Sequence, residues 1–359
     1  MAETMEAVVC HGPGDYRVEQ APMPVMMDAS MVLRTAACGI CASDIKCYDG
    51  AGHFWGNETR KPYVITPVVP GHEFSGYVEA IDPAVAEQHG FQEGDLVVVE
   101  QIVPCWQCRH CTRGNYWMCQ VNYIFGFKGG ICDGGMATHV RVPRNAIVHR
   151  VPAGLTVEQA AYVEPLGCAL HAVERGEIEV GDTVVVAGMG NIGLCMLQAA
   201  RLYSPGKLIG IDLHPRRRAL ASEFGADVVL DPTDPGALET ILDLTDGYGC
   251  DVYIEATGHP SGVTQGLDMI RKLGTFVEFS VFGEDVKADW TIIGDRKEIN
   301  IHGAHLSPYT YPLAMDLLLQ EKVTVDPLIS HTFPISAFPD AIEAAHNNAE
   351  GMKVMIVPE

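Results

Sequence analysis

Short apolar runs alternate with longer amphipathic stretches through the second half of the chain. From Thr183, the segment TVVVAGMGNIGLCMLQAARLY predicts a buried strand, a glycine-rich turn and an amphipathic helix. Further strand-like runs follow: ADVVL, GCDVYIEATG, LGTFVEFSVFG and EINIHGAH, with helical stretches such as PSGVTQGLDMIRKL between them. Strands that alternate with helices predict a doubly wound parallel sheet, here over residues 166–303.

The first half of the chain has a different pattern, rich in glycine, proline and short strands. A chain of 359 residues exceeds what one hydrophobic core usually organises, so we expect two domains. The first domain is predicted over 1–165 and the parallel-sheet domain over 166–303. The last segment, 304–359, is too short to fold alone, and we expect it to return to the first domain.

The glycine-rich turn has the spacing G-x-G-x-x-G, given by Gly188, Gly190 and Gly193. The first glycine allows a tight turn, the second lets the backbone approach a pyrophosphate, and the third packs the helix on the strand. Asn191 and Ile192 complete the turn and begin the helix, whose N terminus carries a partial positive charge. The turn therefore predicts a dinucleotide site.

The strand KLIGID ends in Asp212, nineteen residues after the last glycine of the turn. A carboxylate there accepts hydrogen bonds from the adenosine ribose hydroxyls and repels a 2'-phosphate, which favours NAD over NADP. The arginines at 216–218 are the counterargument, because they could form a phosphate pocket. They could also be the exposed first turn of a helix, with Arg217 against the adenosine.

Four cysteines stand close together within the segment 100–122, at Cys105, Cys108, Cys111 and Cys119. Two-residue spacers let neighbouring thiolates point to a common centre, so this spacing predicts one tetrahedral structural zinc ion. The alternatives are two disulfides or four unrelated buried thiols. Twelve cysteines in a chain without a secretory signal favour reduced thiols.

Three other segments offer metal ligands. CGICASD contains Cys41, PGHEFSG contains His72 and Glu73, and AAYVEPLGCALHAVERG contains Glu164 in apolar surroundings. A catalytic zinc ion needs three such groups and an open fourth position. Spacing alone leaves open a buried cysteine and a surface histidine without a metal. Buried carboxylates are usually paired or metal-bound, which makes Glu164 a candidate.

Charge and composition narrow the classes of partner. The chain has 24 Lys plus Arg against 46 Asp plus Glu, a formal net charge of -22, which repels phosphate backbones and anionic lipid surfaces. No stretch reaches the roughly 20 apolar residues of a membrane span, and the N-terminal residues do not look like a secretory signal. We therefore expect a cytoplasmic protein that binds neither nucleic acid nor membranes.

The motifs GICASD, GHE, the four-cysteine segment, EPLGCALH and VVVAGMGNIG, in this order, resemble the zinc-containing medium-chain alcohol and polyol dehydrogenases. The resemblance covers nearly the whole chain. It implies an α/β fold class, in which a GroES-like, mostly-β catalytic domain is combined with a Rossmann cofactor domain. It also implies hydride transfer from an alcohol to NAD, two zinc ions per chain, and a homotetramer.

The same resemblance implies residue roles. Cys41, His72 and Glu73 are expected to bind the catalytic zinc ion, with Glu164 bound directly or through the zinc-bound water, and which glutamate is the ligand stays open. Ser43 resembles the hydroxyl that passes the alcohol proton toward solvent. Asp44 is expected to orient His72. Lys353 is expected to close this network or to contact the cofactor pyrophosphate.

The substrate is a finer question. GICASDIKCYDG, FWG and GAHLSPYTYP most resemble the branch that oxidises erythritol and L-threitol to erythrulose. Leu306 replaces an arginine of the sorbitol enzymes, and Lys46 replaces the histidine that ends the proton relay in many members. Phe54 and Trp55 either line the pocket or serve packing.

Alternatives of the same fold are dehydrogenases for butanediol, sorbitol or xylitol, threonine, or an aminocyclitol. A different class is a zinc-free quinone reductase or a non-catalytic NAD-sensing protein. Proteins of that class would lack the cysteine, histidine and glutamate set that this chain contains.

Overall fold

The computed structural model describes residues 3–27, 29–347 and 352–359. The chain divides into two compact units, Met1–Pro165 with Tyr311–Glu359, and Leu166–Thr310. The returning segment begins at Tyr311 in this division, and the expected boundary at residue 304 stays a prediction. The Thr310 hydroxyl, at the end of the second unit, donates to the Gly167 carbonyl at its start, at 3.0 Å.

The N-terminal part of the first unit is mostly β-structure. Its strands are β1 Thr4–Gly12, β2 Asp15–Pro22, β3 Met31–Gly39, β4 Glu73–Ile81, β5 Leu96–Val99, β6 Ile102–Val103, β7 Tyr123–Ile124, β8 His139–Val142 and β9 Val148–Arg150. Its helices are short: α1 Ala42–Tyr48, α2 Gly52–Trp55, α3 Pro83–His89 and α4 Val157–Ala161.

The second unit alternates strands and helices. Helix α5, Val163–Glu174, leads into it. The strands are β10 Thr183–Ala187, β11 Lys207–Ile211, β12 Val228–Leu230, β13 Cys250–Glu255, β14 Ile270–Glu278 and β15 Asn300–Gly303. The helices between them are α6 Asn191–Arg201, α7 Pro215–Glu223, α8 Ala237–Leu244 and α9 Pro260–Met269.

The six strands of the second unit form one sheet in the order β12-β11-β10-β13-β14-β15, with every neighbouring pair parallel. This is the doubly wound order. Successive strands are added on one side of β10 up to β12 and then on its other side from β13, so the crevice of the switch point lies between β10 and β13. All five residues of β10, TVVVA, are buried, because a central strand of such a sheet has helices on both faces. The predicted parallel sheet is confirmed.

The C-terminal segment completes the first unit with α10 Tyr311–Leu319, β16 Ile329–Phe333, α11 Phe338–His346 and β17 Lys353–Ile356. Strand β17 lies between β16 and β3 in a seven-stranded sheet that also contains β4, β5, β8 and β9. Strand β3 is buried at every position except Arg34, as expected for a strand inside the core. Among the described residues, no helix has the length and apolar character needed to cross a bilayer.

Candidate active site

Strands β3 and β4 bring the predicted metal ligands together. Gly39, the last residue of β3, is the antiparallel partner of Glu73, the first residue of β4. Cys41 caps the N terminus of α1 directly after β3, and His72 directly precedes β4. A Cβ atom on Gly39 would collide with the Glu73 carboxylate. Glycine at this position therefore leaves room for the carboxylate.

The donor atoms of Cys41, His72 and Glu73 lie within 4.8 Å of one another. Around one zinc ion, with bonds of about 2.0–2.3 Å, such atoms lie about 3.3–3.8 Å apart. His72 and Glu73 are buried, and Cys41 is half-buried. A thiolate, an imidazole and a carboxylate suit zinc, and three protein ligands leave a fourth position for a substrate. The donor set therefore fits a catalytic zinc ion.

The His72 ring lies between two side chains of α1. Its Nδ1 atom is 3.7 Å from Asp44 Oδ1, and its Nε2 atom is 3.5 Å from Ser43 Oγ. Both His72 Nδ1 and Asp44 Oδ1 are buried without a hydrogen-bond partner in the described part of the chain. Asp44 Oδ2 accepts the Cys41 backbone N–H at 2.9 Å. Asp44 thus faces Nδ1, which leaves Nε2 available to a metal ion.

The charges around His72 act in opposite directions. Burial alone lowers the pKa of His72, but the charges of Asp44, Cys41 and Glu164 outweigh it and raise the pKa well above its usual value. Burial also raises the pKa of Asp44, which the charge of His72 opposes. The site therefore favours a cation at the imidazole, and a bound metal ion would take the place of that proton.

Lys353 binds the Glu73 carboxylate from the C-terminal segment. Its ammonium group donates to Glu73 Oε1 at 2.8 Å and Oε2 at 2.5 Å, and to the Ile40 carbonyl at 3.2 Å. Both side chains are almost fully buried. Burial lowers the pKa of Lys353, but the charges of Glu73 and the nearby Cys41 raise it by more, so the net pKa lies above its ordinary value. The predicted contact of Lys353 with a cofactor pyrophosphate stays a prediction.

Glu164 lies in the first turn of α5 and is buried. Its charge raises the pKa of both His72 and Lys353, which indicates that its carboxylate lies near these two side chains. Glu73 already accepts two hydrogen bonds from an ammonium group, so Glu164 is a second source of carboxylate oxygen. Which of the two glutamates binds the metal stays open.

The four-cysteine segment forms the second candidate metal site. The four sulfur atoms, of Cys105, Cys108, Cys111 and Cys119, lie within 4.8 Å of one another. Those of Cys108 and Cys111 are 3.5 Å apart, too far for a disulfide and near the roughly 3.8 Å expected around one zinc ion. All twelve cysteines of the chain are free thiols. The two-disulfide alternative therefore does not fit this geometry.

The thiols of this segment differ in acidity. Backbone hydrogen bonds from Cys111 and Gln120 lower the pKa of Cys108 to about 6, whereas burial raises the pKa of Cys111 to about 12. Neighbouring thiolates repel one another, so complete ionisation of the set requires a bound cation. The Tyr116 hydroxyl donates to the buried Glu100 carboxylate at 2.7 Å and attaches the segment to the sheet.

In the second unit, the glycine turn follows β10. Gly188 has a φ of +94°, and a Cβ atom on it would lie 2.6 Å from the Ala256 carbonyl oxygen. A Cβ atom on Gly193 would collide with the Gly188 carbonyl, whereas Gly190 has no atom within 4 Å of that position. The backbone at Gly190, at the N terminus of α6, is therefore open to an approaching group, as the predicted pyrophosphate contact requires. Asn191 and Ile192 form the first turn of this helix.

Asp212 connects the end of β11 to the glycine turn. Its carboxylate accepts the Met189 N–H and the His214 N–H, each at 2.8 Å, and Arg217 Nη1 lies 3.7 Å from Oδ2. These bonds fix the carboxylate at the edge of the sheet where a dinucleotide binds. The adenosine contact of Arg217 and the choice of NAD stay predictions.

Phe127 is an aromatic neighbour of the candidate metal site that the sequence pattern does not indicate. The Phe127 ring lies 5.6 Å from the His72 ring and stacks on Phe54 at 5.1 Å. Phe54 belongs to a buried hydrophobic cluster, and Trp55 donates its indole N–H to the Cys47 carbonyl at 2.7 Å. Both side chains thus take part in packing, and whether they also line the substrate pocket stays a prediction. Nothing in the spacing along the chain links Phe127 to His72.

Comparison with known proteins gives matches over both units. Residues 28–153 match the family described as alcohol dehydrogenase GroES-like domain, and residues 191–320 match the family described as zinc-binding dehydrogenase. An erythritol/L-threitol dehydrogenase from Mycolicibacterium smegmatis is 47% identical over 356 residues, which is 99% of this chain and 98% of that protein.

Two further proteins extend the comparison. A sorbitol dehydrogenase from Halalkalibacterium halodurans is 33% identical over 352 residues, 97% of each chain. The crystal structure of a zinc-binding dehydrogenase from Sinorhizobium meliloti, bound to NADP, is 30% identical, with a TM-score of 0.87 over 99% of this chain and 100% of that one. The predicted fold class, GroES-like plus Rossmann, is thereby confirmed.

Proposed function

The chain belongs to the zinc-binding alcohol dehydrogenases, and we propose that it oxidises a secondary hydroxyl group of a short polyol to a ketone, with NAD as the hydride acceptor. The main support for this proposal is the donor set of Cys41, His72 and Glu73, whose donor atoms lie within 4.8 Å of one another. Asp44 Oδ1 lies 3.7 Å from Nδ1 of His72. Glu164 is the alternative carboxylate ligand.

Each residue near the metal site has a task in this reaction. When bound, the zinc ion acts as a Lewis acid that eases deprotonation of the alcohol, and the dinucleotide accepts the hydride. Ser43, whose hydroxyl lies beside His72, accepts the alcohol proton and passes it toward solvent. Asp44 holds the His72 ring, and Lys353 holds the Glu73 carboxylate in place. Lys46 stands where many members of the family carry the histidine that ends this proton relay.

The second unit holds the cofactor in this proposal. The backbone at Gly188, Gly190 and Gly193, with Asn191 and Ile192 at the start of α6, binds the pyrophosphate. The Asp212 carboxylate accepts hydrogen bonds from the adenosine ribose hydroxyls and repels a 2'-phosphate, which favours NAD over NADP. The four cysteines of the first unit hold a second, structural zinc ion. We further propose a cytoplasmic protein, since twelve cysteines without a disulfide suit a reducing compartment, and a homotetramer, which the family resemblance implies.

Among the polyols, we propose erythritol or L-threitol as the substrate and erythrulose as the product. The support is the 47% identity to an enzyme that carries these substrates in its name. Sorbitol is the second candidate, since relatives at 33% and 29% identity are named sorbitol dehydrogenases.

A substrate panel tests this proposal. Initial rates of reduced cofactor formation are measured for erythritol, L-threitol, sorbitol, xylitol, butanediol and threonine, each with NAD⁺ and with NADP⁺. We expect kcat/KM for a four-carbon polyol with NAD⁺ to exceed that for sorbitol by about tenfold or more. Oxidation of butanediol without any oxidation of erythritol or L-threitol would contradict the substrate. Equal use of NADP⁺ would contradict the role of Asp212.

A further inference from the structure

Two glutamates end neighbouring strands of the parallel sheet in the second unit. Glu255 is the last residue of β13 and Glu278 is the last residue of β14. They are register partners in the parallel ladder, so their side chains leave the sheet on the same face. Both lie at the carboxyl ends of the strands, where doubly wound sheets bind their ligands.

Glu255 is fully buried and satisfied by the backbone that follows it. Its Oε1 atom accepts the Thr257 N–H at 2.8 Å and the Gly258 N–H at 3.2 Å, together with the Thr257 hydroxyl. A Cβ atom on Gly188 would lie 2.9 Å from the Thr257 nitrogen. The loop that Glu255 holds therefore lies directly against the glycine turn.

Glu278 has a different environment. It is half-buried, and its Oε1 atom is buried without a hydrogen-bond partner among the residues that the structure describes. Burial is the largest cause that raises the pKa of Glu278 to about 7, and the charge of Glu255 is the second. A hydrogen bond from the Ser280 backbone N–H partly opposes this increase. This carboxyl group therefore changes its charge near neutral pH. Among the described residues, no donor forms a hydrogen bond with its Oε1 atom.

Tyr253 on β13 shares the face of the two glutamates, but its hydroxyl donates to the Gly262 carbonyl at 2.9 Å. The other ionisable groups on the elements packed against β14 lie elsewhere. His302 on β15 is the partner of Val277 and so points to the opposite face, with its ring on the Arg175 carbonyl. His259, which precedes α9, contacts Ser261. The remaining acids occupy the far ends of their elements: Asp251 at the start of β13 and Asp268 near the end of α9. Glu255 is thus the charge that acts on Glu278.

We propose that Glu278 sets the preference of the site for the oxidation state of its cofactor, because its charge acts on the nicotinamide half of the bound dinucleotide. The inference rests on the proposed function as a nicotinamide-dependent dehydrogenase. In a doubly wound sheet, the half with the glycine turn takes the adenosine and pyrophosphate, and the half formed by β13, β14 and β15 takes the second nucleotide. Glu278 ends the middle strand of that second half.

The chemistry of the cofactor gives the direction of the effect. The nicotinamide ring carries a formal positive charge in NAD⁺ and none in NADH. An ionised Glu278 attracts the oxidised ring, whereas the protonated acid does not distinguish the two forms electrostatically. A unit charge at nucleotide-contact distances in a partly buried site corresponds to about a fivefold to tenfold change in relative affinity.

The experiment measures dissociation constants of NAD⁺ and NADH for the full-length, zinc-loaded protein at pH 6 and pH 8.5, by calorimetry and by NADH fluorescence. In the native protein, we expect the ratio of the NAD⁺ constant to the NADH constant to fall about fivefold as the pH rises. In Glu278→Gln, which keeps the neutral form at every pH, the ratio should change less than about twofold. Glu239→Gln, on the exposed side of α8, is the matched control and should behave like the native protein.

The outcomes separate the two proposals. If the ratio fell equally in Glu278→Gln, the role of Glu278 would be overturned. A ratio that stayed constant in the native protein would also overturn it, and this measurement needs no variant. Binding of neither nucleotide at millimolar concentration would overturn the proposed function as well. A midpoint of the native ratio near pH 7 supports the assignment to Glu278.

Discussion

At the scale of single residues, the His72–Asp44 pair decides how well the candidate zinc site is organised. Two buried polar atoms, His72 Nδ1 and Asp44 Oδ1, face each other at 3.7 Å, and neither has another hydrogen-bond partner in the described part of the chain. A hydrogen bond between these two atoms would fix the ring and raise its basicity toward a metal ion.

We predict that Asp44→Asn lowers the zinc affinity of the catalytic site and kcat, each by about 10-fold to 100-fold, because the amide holds the ring less firmly and carries no charge. Zinc content by mass spectrometry after dialysis and steady-state kinetics measure the two effects. Asp15→Asn removes an exposed carboxylate and should leave both unchanged. Native zinc affinity in Asp44→Asn would show that Asp44 does not orient His72.

At the scale of elements, Lys297 completes the C-terminal end of α9. Its ammonium group donates to the carbonyls of Leu267, Asp268 and Ile270 at 2.7, 2.9 and 2.6 Å. The last carbonyls of a helix have no partner inside the helix, and a cation there also opposes the helix dipole. One side chain thus joins the end of α9 to the start of β14.

We predict that Lys297→Met destabilises the protein by about 1–3 kcal/mol, because three carbonyls, two of them in partly buried hydrogen bonds, lose their donor. Thermal unfolding monitored by circular dichroism measures the loss as a lower Tm. Lys287→Met changes another lysine, one that is exposed, and should shift stability by no more than about 0.5 kcal/mol. Equal effects of the two substitutions would contradict the capping role.

The ends of α1 and α11 are joined by an ion pair that depends on pH. His346 Nε2 lies 2.8 Å from Asp49 Oδ1, and its Nδ1 lies 2.8 Å from the Ile342 carbonyl. Burial alone lowers the pKa of His346, but the hydrogen bonds to Asp49 and Ile342 raise it above the usual 6.5. The folded state therefore favours the protonated ring.

A histidine with a raised pKa contributes its full stabilisation below about pH 6.5 and loses it as the pH rises through the folded-state pKa. We predict that the Tm difference between the native protein and His346→Gln is larger at pH 5.5 than at pH 8.5. Scanning calorimetry at both pH values provides the comparison. His331→Gln changes an exposed histidine and serves as the control. A difference that grew with pH would show that the pair does not act in this way.

At the scale of the whole molecule, the chain contains two separate sets of metal ligands, and we predict two zinc ions per chain. Cys41→Ser should retain one zinc ion and lose almost all turnover, because the substitution affects only the catalytic set. Cys119→Ser should also retain one zinc ion but lose stability, since a structural site contributes to folding. Metal analysis, activity and Tm on the same samples distinguish the two variants. Loss of both ions in Cys41→Ser would contradict independent sites.

How far the sequence predicts this molecule depends on the distance between interacting residues along the chain. The glycine turn and the four cysteines are local patterns, and each predicts its own geometry. The pairing of Cys41 with His72 depends on the register of β3 and β4, which spacing does not reveal and the family resemblance supplied.

The contact of Lys353 with Glu73 joins residues from opposite ends of the chain, and no local pattern indicates it. The register partners Glu255 and Glu278 are each an ordinary glutamate at a strand end until the sheet places them side by side. Long-range pairs of this kind follow from topology rather than from periodicity.

The position of β17 inside the seven-stranded sheet has a consequence for synthesis. Lys353 belongs to the last strand of the chain, yet its ammonium group neutralises the carboxylate that begins β4. Because the ribosome makes the N-terminal part first, Glu73 is synthesised long before the lysine that neutralises it. The carboxylate therefore stays without this counter-ion until the second unit has been made and Lys353 has followed it. Completion of the candidate metal site in the first unit is in this way coupled to synthesis of the C-terminal segment.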